Sequence, residues 1–270
     1  MEEKTNSNTG LKKIDALKNI LKAPSVEEQF RNALQENSGT FVASVIDLFN
    51  SDKSLQDCEP KQLVMEALKA AVLKLPINKA LGFAWIVPYK SKGGVIATFQ
   101  IGYKGYIQLA MRTAKYRIIN SDMVYEGELR QVNKLTGEID FSGTKSSDKV
   151  EGYFAHIELL NGFAKTLYMT RDGIIAHAKK YSKSYEHNAS AWQTDFDAMA
   201  KKTVIRNLLS HYGYLSVEMM GAIEGDISSD TVIRDKDVKE TTGSKEFVAD
   251  VEFEDVSENG GNSDKTDPGF

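Results

Sequence analysis

The chain reads as an α+β protein: helices packed around a small antiparallel sheet with an extended hairpin, followed by an acidic tail expected to be disordered. Three observations predict this. Apolar residues recur at helical spacing through the first 75 residues. From Phe83 the period shortens to two, and turn signals separate short apolar runs. From Asp226 onward the sequence becomes acidic and rich in Ser, Gly and Thr, ending in NGGNSDKTDPGF.

With 270 residues and 41% hydrophobic content, the chain has material for a sizeable core. It divides into a polar segment with a first helix over residues 1–24, an α+β core over 25–225, and the tail over 226–270. The tail holds 13 acids and 5 bases, a net of −8. Since the whole chain carries −4, residues 1–225 carry about +4, and the body is mildly basic. Within the tail, Phe247 to Val256 (FVADVEFEDV) reads as a docking peptide as readily as a solvated segment. The single cysteine, Cys58, excludes a disulfide framework and fits a reducing cytoplasm. The opening MEEKTNSNTG has no signal-type apolar run, and no stretch approaches the roughly 18 apolar residues of a membrane span.

The elements follow in order. Ser25-Val-Glu-Glu28 has capping-box form ahead of QFRNALQ. Pro60 suits the first turn of a helix reaching Leu75, which Pro76 ends. Phe83–Tyr89 and Gly94–Phe99 flank Lys90-Ser-Lys-Gly-Gly94 as a hairpin, with Pro88 marking an edge or bulge. Residues 117–125, 150–159 and 163–170 are strand-like, and Asn161-Gly162 turns the last two into a hairpin. Helical patterns return over 172–183 and 192–211.

Two helical stretches concentrate charge. Over 103–115, taken at about 100° per residue, Tyr103, Ile107, Ala110 and Ala114 align on one line. Lys104, Gln108, Arg112 and Lys115 fall on the other side. Over 195–210, Lys202 and Arg206 share a face beside Thr203, while Lys201 points elsewhere. Each stretch is read either as an amphipathic surface helix or as a basic stripe lining a phosphate groove. Gly102 and Gly105 either open a helix or let the backbone approach a ligand. Together with Lys79, Lys90, Lys92, and Lys179, Lys180 and Lys183 beside Tyr181 and Tyr185, they make a basic-aromatic body. That composition suits single-stranded nucleic acid, whose phosphates meet cations and whose bases stack on rings.

Catalytic signals are weak. Gly143-Thr-Lys-Ser lacks the earlier glycine of a P-loop. His156-Ile-Glu158 lacks the paired cysteines of a zinc deaminase. The four histidines have no metal-ligand spacing, and no cofactor is indicated. Asp122, Glu126 and Glu128 are the one carboxylate set to weigh as a nuclease metal site.

The strings LPINKALGFAWIVPYK, FQIGYKGYIQLAMRT and DFDAMAKKTVIRNLL closely resemble the RecT family of phage recombinases, over roughly residues 25–215. The resemblance implies an ATP-independent single-strand annealing protein, not an enzyme. It implies a homo-oligomer, ring or helical filament, that coats single-stranded DNA, presents bases for pairing and holds the annealed duplex. A partner exonuclease and a host single-strand-binding protein, reached through the tail, are implied as well. Carried over by position, Lys79 and Phe83 match the first block; Gln100, Tyr103, Lys104, Arg112 and Lys115 match the second; Lys201, Lys202, Thr203 and Arg206 match the third. Lys104, Arg112, Lys115, Lys202 and Arg206 are the expected phosphate contacts. Tyr103 and Phe83 are expected either to stack on bases or to pack in the core. A passive coating protein is the alternative, with the nuclease behind it.

Overall fold

A computed structural model describes residues 13–91, 93–182, 184–188, 190–216, 219–221 and 223. All lie in one compact unit, Met1–Lys236; the second unit, Asp237–Phe270, and with it most of the acidic tail and its FVADVEFEDV patch, is outside the described residues. The side chains of Lys92 and Lys183 are outside them too.

The N-terminal third is helical, as the spacing predicts. α1 spans residues 13–21. α2 (Pro24–Leu34), α3 (Ser38–Ser51), α4 (Lys53–Gln56) and α5 (Pro60–Val72) follow. Phe30, Val45, Phe49, Leu63 and Ala67 turn inward from them. The capping-box reading is corrected: Pro24 occupies the first turn of α2, Ala23 precedes it, and Ser25 lies inside the helix. The Val26 and Glu27 amides both donate to the Ala23 carbonyl at 2.9 Å, and no side chain caps the helix. Asp52 caps α4 instead, accepting from the Ser54 and Leu55 amides at 3.0 and 3.4 Å. Pro60 takes the predicted first-turn place in α5, but the helix ends at Val72, before Pro76. Lys74 adopts a φ of 51° there, which terminates the turn first.

β1 (Ala84–Ser91) and β2 (Gly94–Ile101) form the expected hairpin, with Ser91 opposite Gly94. Pro88 lies opposite Ala97 in this two-stranded sheet, where it interrupts no inner ladder. β2 is covered by α5: Glu66 accepts from the Phe99 amide at 2.8 Å and Gln62 from the Ala97 amide at 3.4 Å. A strand edge is thereby satisfied by side chains.

α6 (Tyr103–Arg112) leads into the second sheet, β3 (Tyr116–Tyr125), β6 (Val150–Leu159) and β7 (Ala164–Thr170), antiparallel in the order β3-β6-β7. Gly162, at φ 88°, closes the predicted turn between the last two. A two-residue pair, β4 (Gln131–Val132) with β5 (Ile139–Asp140), has no signal in the sequence reading. α7 (Arg171–Tyr181), α8 (Ala191–Thr194) and α9 (Phe196–Tyr212) complete the fold. The single helix expected over 192–211 breaks at Asp195, whose carboxylate accepts from the Ala198 amide and starts α9. α9 packs across β6, β7 and β3, and α6 packs beside α9, so one core runs from the N-terminal helices through both sheets. Among the described residues, no helix is long and apolar enough to cross a membrane.

Candidate nucleic-acid interface

α6 begins in very close contact with the preceding chain. The Gly102 amide donates to the Phe83 carbonyl at 2.9 Å. A Cβ at Gly102 would stand 2.2 Å from the Gly82 carbonyl oxygen, and one at Gly105 2.1 Å from that of Phe83. The two glycines therefore serve a backbone approach, and the backbone approached is this chain's own.

The buried arc of α6 is Gly105, Tyr106, Leu109 and Ala110. This corrects the predicted apolar line through Tyr103, Ile107 and Ala114. Ala114 is exposed at a φ of 52°, outside the helix. Lys115 likewise follows the helix instead of riding on it. Lys104 and Arg112 are nevertheless exposed, as is Met111 beside them.

α9 lies alongside α6 in the same direction. Lys201, near the start of α9, places its ammonium 4.9 Å from the ring centre of Tyr103, at the start of α6. Past the other ends, Lys115 stands 5.4 Å from the ring centre of Tyr214. The seam between the helices thus carries a cation on a ring at each end, separated by a ten-residue helix, roughly 15 Å.

The structure does not bring all the predicted site residues together. Lys115 and Lys201 stand at the two ends of the seam, while Lys104 is exposed at the start of α6 with its stem toward Gly82. Tyr103 and Phe83 are partly buried and pack against the core. Gln100 donates to the Tyr89 hydroxyl at 2.7 Å within the hairpin. Lys79 is paired with Asp52 at 2.7 Å. Burial raises the Asp52 carboxyl, but the Lys79 hydrogen bond and charge and two backbone amides outweigh it and hold the group below the ordinary carboxylate range. Arg112 donates to the Leu73 and Lys74 carbonyls at 2.6 and 2.9 Å, closing the C-terminus of α5 with a cation where the helix dipole favours one. Arg112→Ala is expected to lower stability by about 1–2 kcal/mol through this cap. Urea unfolding checks it; unchanged stability with weakened DNA binding would return Arg112 to the phosphate contacts.

Lys202, Thr203 and Arg206 do share a face, but it turns inward. They are 7%, 3% and 9% exposed. With His177, Tyr181, Trp192 and Met199 they line a cavity of about 20 Å³, room for one water. The hydroxyl of Thr203 bonds back to the Met199 carbonyl at 2.9 Å. The expectation of a solvent-facing pair is corrected, because α9 is covered by the sheet on one side and by α7 on the other. His177 Nδ1 is buried here without a hydrogen-bond partner. Burial, then the charges of Arg206 and Lys180, push the imidazole down to about 4 from 6.5. The folded chain stays neutral where the unfolded chain takes up a proton. The stabilisation is therefore full above about pH 6.5 and is lost as pH falls toward about 4. His177→Gln is expected to flatten that loss when unfolding is compared at pH 7 and pH 5; a parallel pH dependence would contradict it.

The three weighed carboxylates do not converge. Asp122 Oδ1 lies 3.9 Å from Lys201, Glu126 accepts from the Ser147 hydroxyl at 2.7 Å, and Glu128 accepts from the Tyr125 amide at 2.7 Å. Among the described residues, no group of three His, Cys, Asp or Glu is placed to hold a metal.

The RecT family model matches residues 39–248. The chain belongs to the RecT family. The matched span contains both helices of the seam, both sheets and every predicted site residue. Protein RecT of Escherichia coli K12 is 27% identical over 232 residues, covering 83% of this chain and 85% of that protein. An uncharacterized Bacillus subtilis protein, YqaK, is 45% identical over 233 residues, covering 86% of this chain and 78% of YqaK. In this RecT-family chain, sequence reading missed one feature near the end of α9: Phe163 and Lys165 meet Tyr212, and Lys115 meets Tyr214 two residues on. They come from two hairpin positions and the end of α9, so only the fold unites them.

Proposed function

We propose that this chain is an ATP-independent single-strand annealing protein of homologous recombination. It coats single-stranded DNA as a homo-oligomer, presents bases for pairing, and holds the annealed duplex. The observation that carries this reading is the seam between α6 and α9, where a lysine stands against a ring at each end, on a chain of this family. Lysines on such a surface neutralise phosphates whatever the sequence, and rings accept any base. Sequence is then read by the complementary strand. Lys104 and Lys115 are the primary phosphate contacts, with Lys201 held between Tyr103 and Asp122 as a third. Lys202 and Arg206 act as buried supports of α9. The acidic tail recruits an exonuclease and a host single-strand-binding protein in the bacterial cytoplasm.

The test uses two complementary oligonucleotides, each with one fluorophore, without nucleotide or metal. The expected result is accelerated pairing with the product duplex retained on the protein. Tight binding that blocks pairing would replace this reading with a passive coating protein. Strand cleavage on adding magnesium would replace it with a nuclease.

A further inference from the structure

The C-terminal end of α9 carries an exposed ring cluster that phosphate binding along the seam does not use. Phe163, just past the β6–β7 turn, lies alongside Tyr212 with ring centroids 6.4 Å apart and planes 29° apart. Tyr214 follows two residues later, and its carbonyl accepts from the Tyr116 hydroxyl at 3.0 Å, which holds this segment on β3. The three rings are 41%, 46% and 52% exposed for Phe163, Tyr212 and Tyr214. Lys165 stands 5.4 Å from the Tyr212 ring centre, as Lys115 does from Tyr214. Neither lysine has a carboxylate partner among the described residues; the nearby Arg117 is already paired with Glu158 at 2.5 Å.

An occupant of this surface must offer flat apolar faces to the rings and negative charge to the lysines. The body of a second copy fits poorly, because residues 1–225 carry about +4, and its tail, though at −8, offers only three rings, Phe247, Phe253 and Phe270. Single-stranded DNA brings both, in alternation: a base face and a phosphate per nucleotide.

We propose that Phe163, Tyr212 and Tyr214 form a stacking platform for unpaired bases of single-stranded DNA, with Lys115 and Lys165 taking the adjoining phosphates. The proposal rests on the annealing reading and adds that this end of the seam holds bases. Stacking grips a base by its face and leaves its hydrogen-bonding edge open, which is the presentation that annealing requires.

The test compares the full chain with Tyr212→Ala/Tyr214→Ala and Tyr212→Phe/Tyr214→Phe. The probes are a single-stranded oligonucleotide and an abasic strand of equal length. The alanine variant is expected to bind the base-bearing strand roughly 25-fold more weakly, at about fivefold per ring. Its salt dependence should be unchanged, because rings release no counterions. The phenylalanine variant should bind like the wild type, and all three proteins should bind the abasic strand alike. Equal binding of the base-bearing strand by the alanine variant would overturn the platform. So would a loss that persists on the abasic strand, which is a folding or phosphate effect. A changed oligomer size with intact DNA binding would make the patch a copy–copy contact. Annealing by the wild type, measured alongside, keeps the two readings apart: its absence overturns the annealing function itself, whereas its presence beside a normally binding alanine variant overturns only the platform.

Discussion

Gly105→Ala is expected to destabilise the chain by about 2 kcal/mol or more, despite alanine's better helix propensity. The new Cβ would lie 2.1 Å from the Phe83 carbonyl oxygen and 2.8 Å from Ile101 Cγ2. The first of these is backbone, tied to the Gly102 amide, and cannot rotate away. α6 must therefore lift from the Gly82–Phe83 segment or strain it. Alanine returns at most about 1 kcal/mol of backbone entropy and propensity, which the overlap exceeds. For a domain of this size the melting temperature should fall by roughly 4–8 °C. A variant melting at or above the wild type would contradict the close approach. The consequence reaches function, because Lys104 sits between Gly102 and Gly105, and its stem passes 3.8 Å from where a Cβ at Gly82 would be. Any shift that relieves the overlap also moves Lys104, an exposed cation at the start of α6.

Much of the fold is legible in the sequence because its signals are local. The Pro60 helix start, the Asn161-Gly162 turn and the two long hairpins depend on residues a few positions apart, and they stand as expected. Departures arise where two local signals compete. At Ser25 the hydroxyl and Pro24 both mark a helix start, and the proline takes it. At Asp195 a capping carboxylate inside a continuous apolar pattern splits one helix into two.

The site is legible in residue type and less so in direction. On α6 Lys104 and Arg112 are exposed as expected, but Lys115 lies past the helix and the buried arc is around Tyr106 and Leu109, because a helical wheel alone says neither where the helix ends nor which apolar residues meet the core. On α9 the shared face of Lys202 and Arg206 is real, yet it points inward. Long cationic side chains usually signal solvent, and what covers them, His177, Tyr181 and Trp192, comes from earlier elements of the chain. The ring cluster of Phe163, Tyr212 and Tyr214 is invisible in one dimension, since it joins a hairpin turn to a helix end.

The measurement that tests the central claim most directly is binding and annealing by Lys104→Ala/Lys115→Ala over a salt series. Both lysines are exposed, and neither makes an ion pair among the described residues, so the variant should melt like the wild type. If the seam holds phosphate, losing two charge-assisted contacts weakens single-strand binding by roughly 100-fold. The slope of log affinity against log salt should shrink by about 1.4, at about 0.7 per single-strand contact, and annealing without nucleotide should be lost with it. A folded variant that keeps the wild-type slope and the wild-type annealing rate would contradict the account and move the DNA to another face.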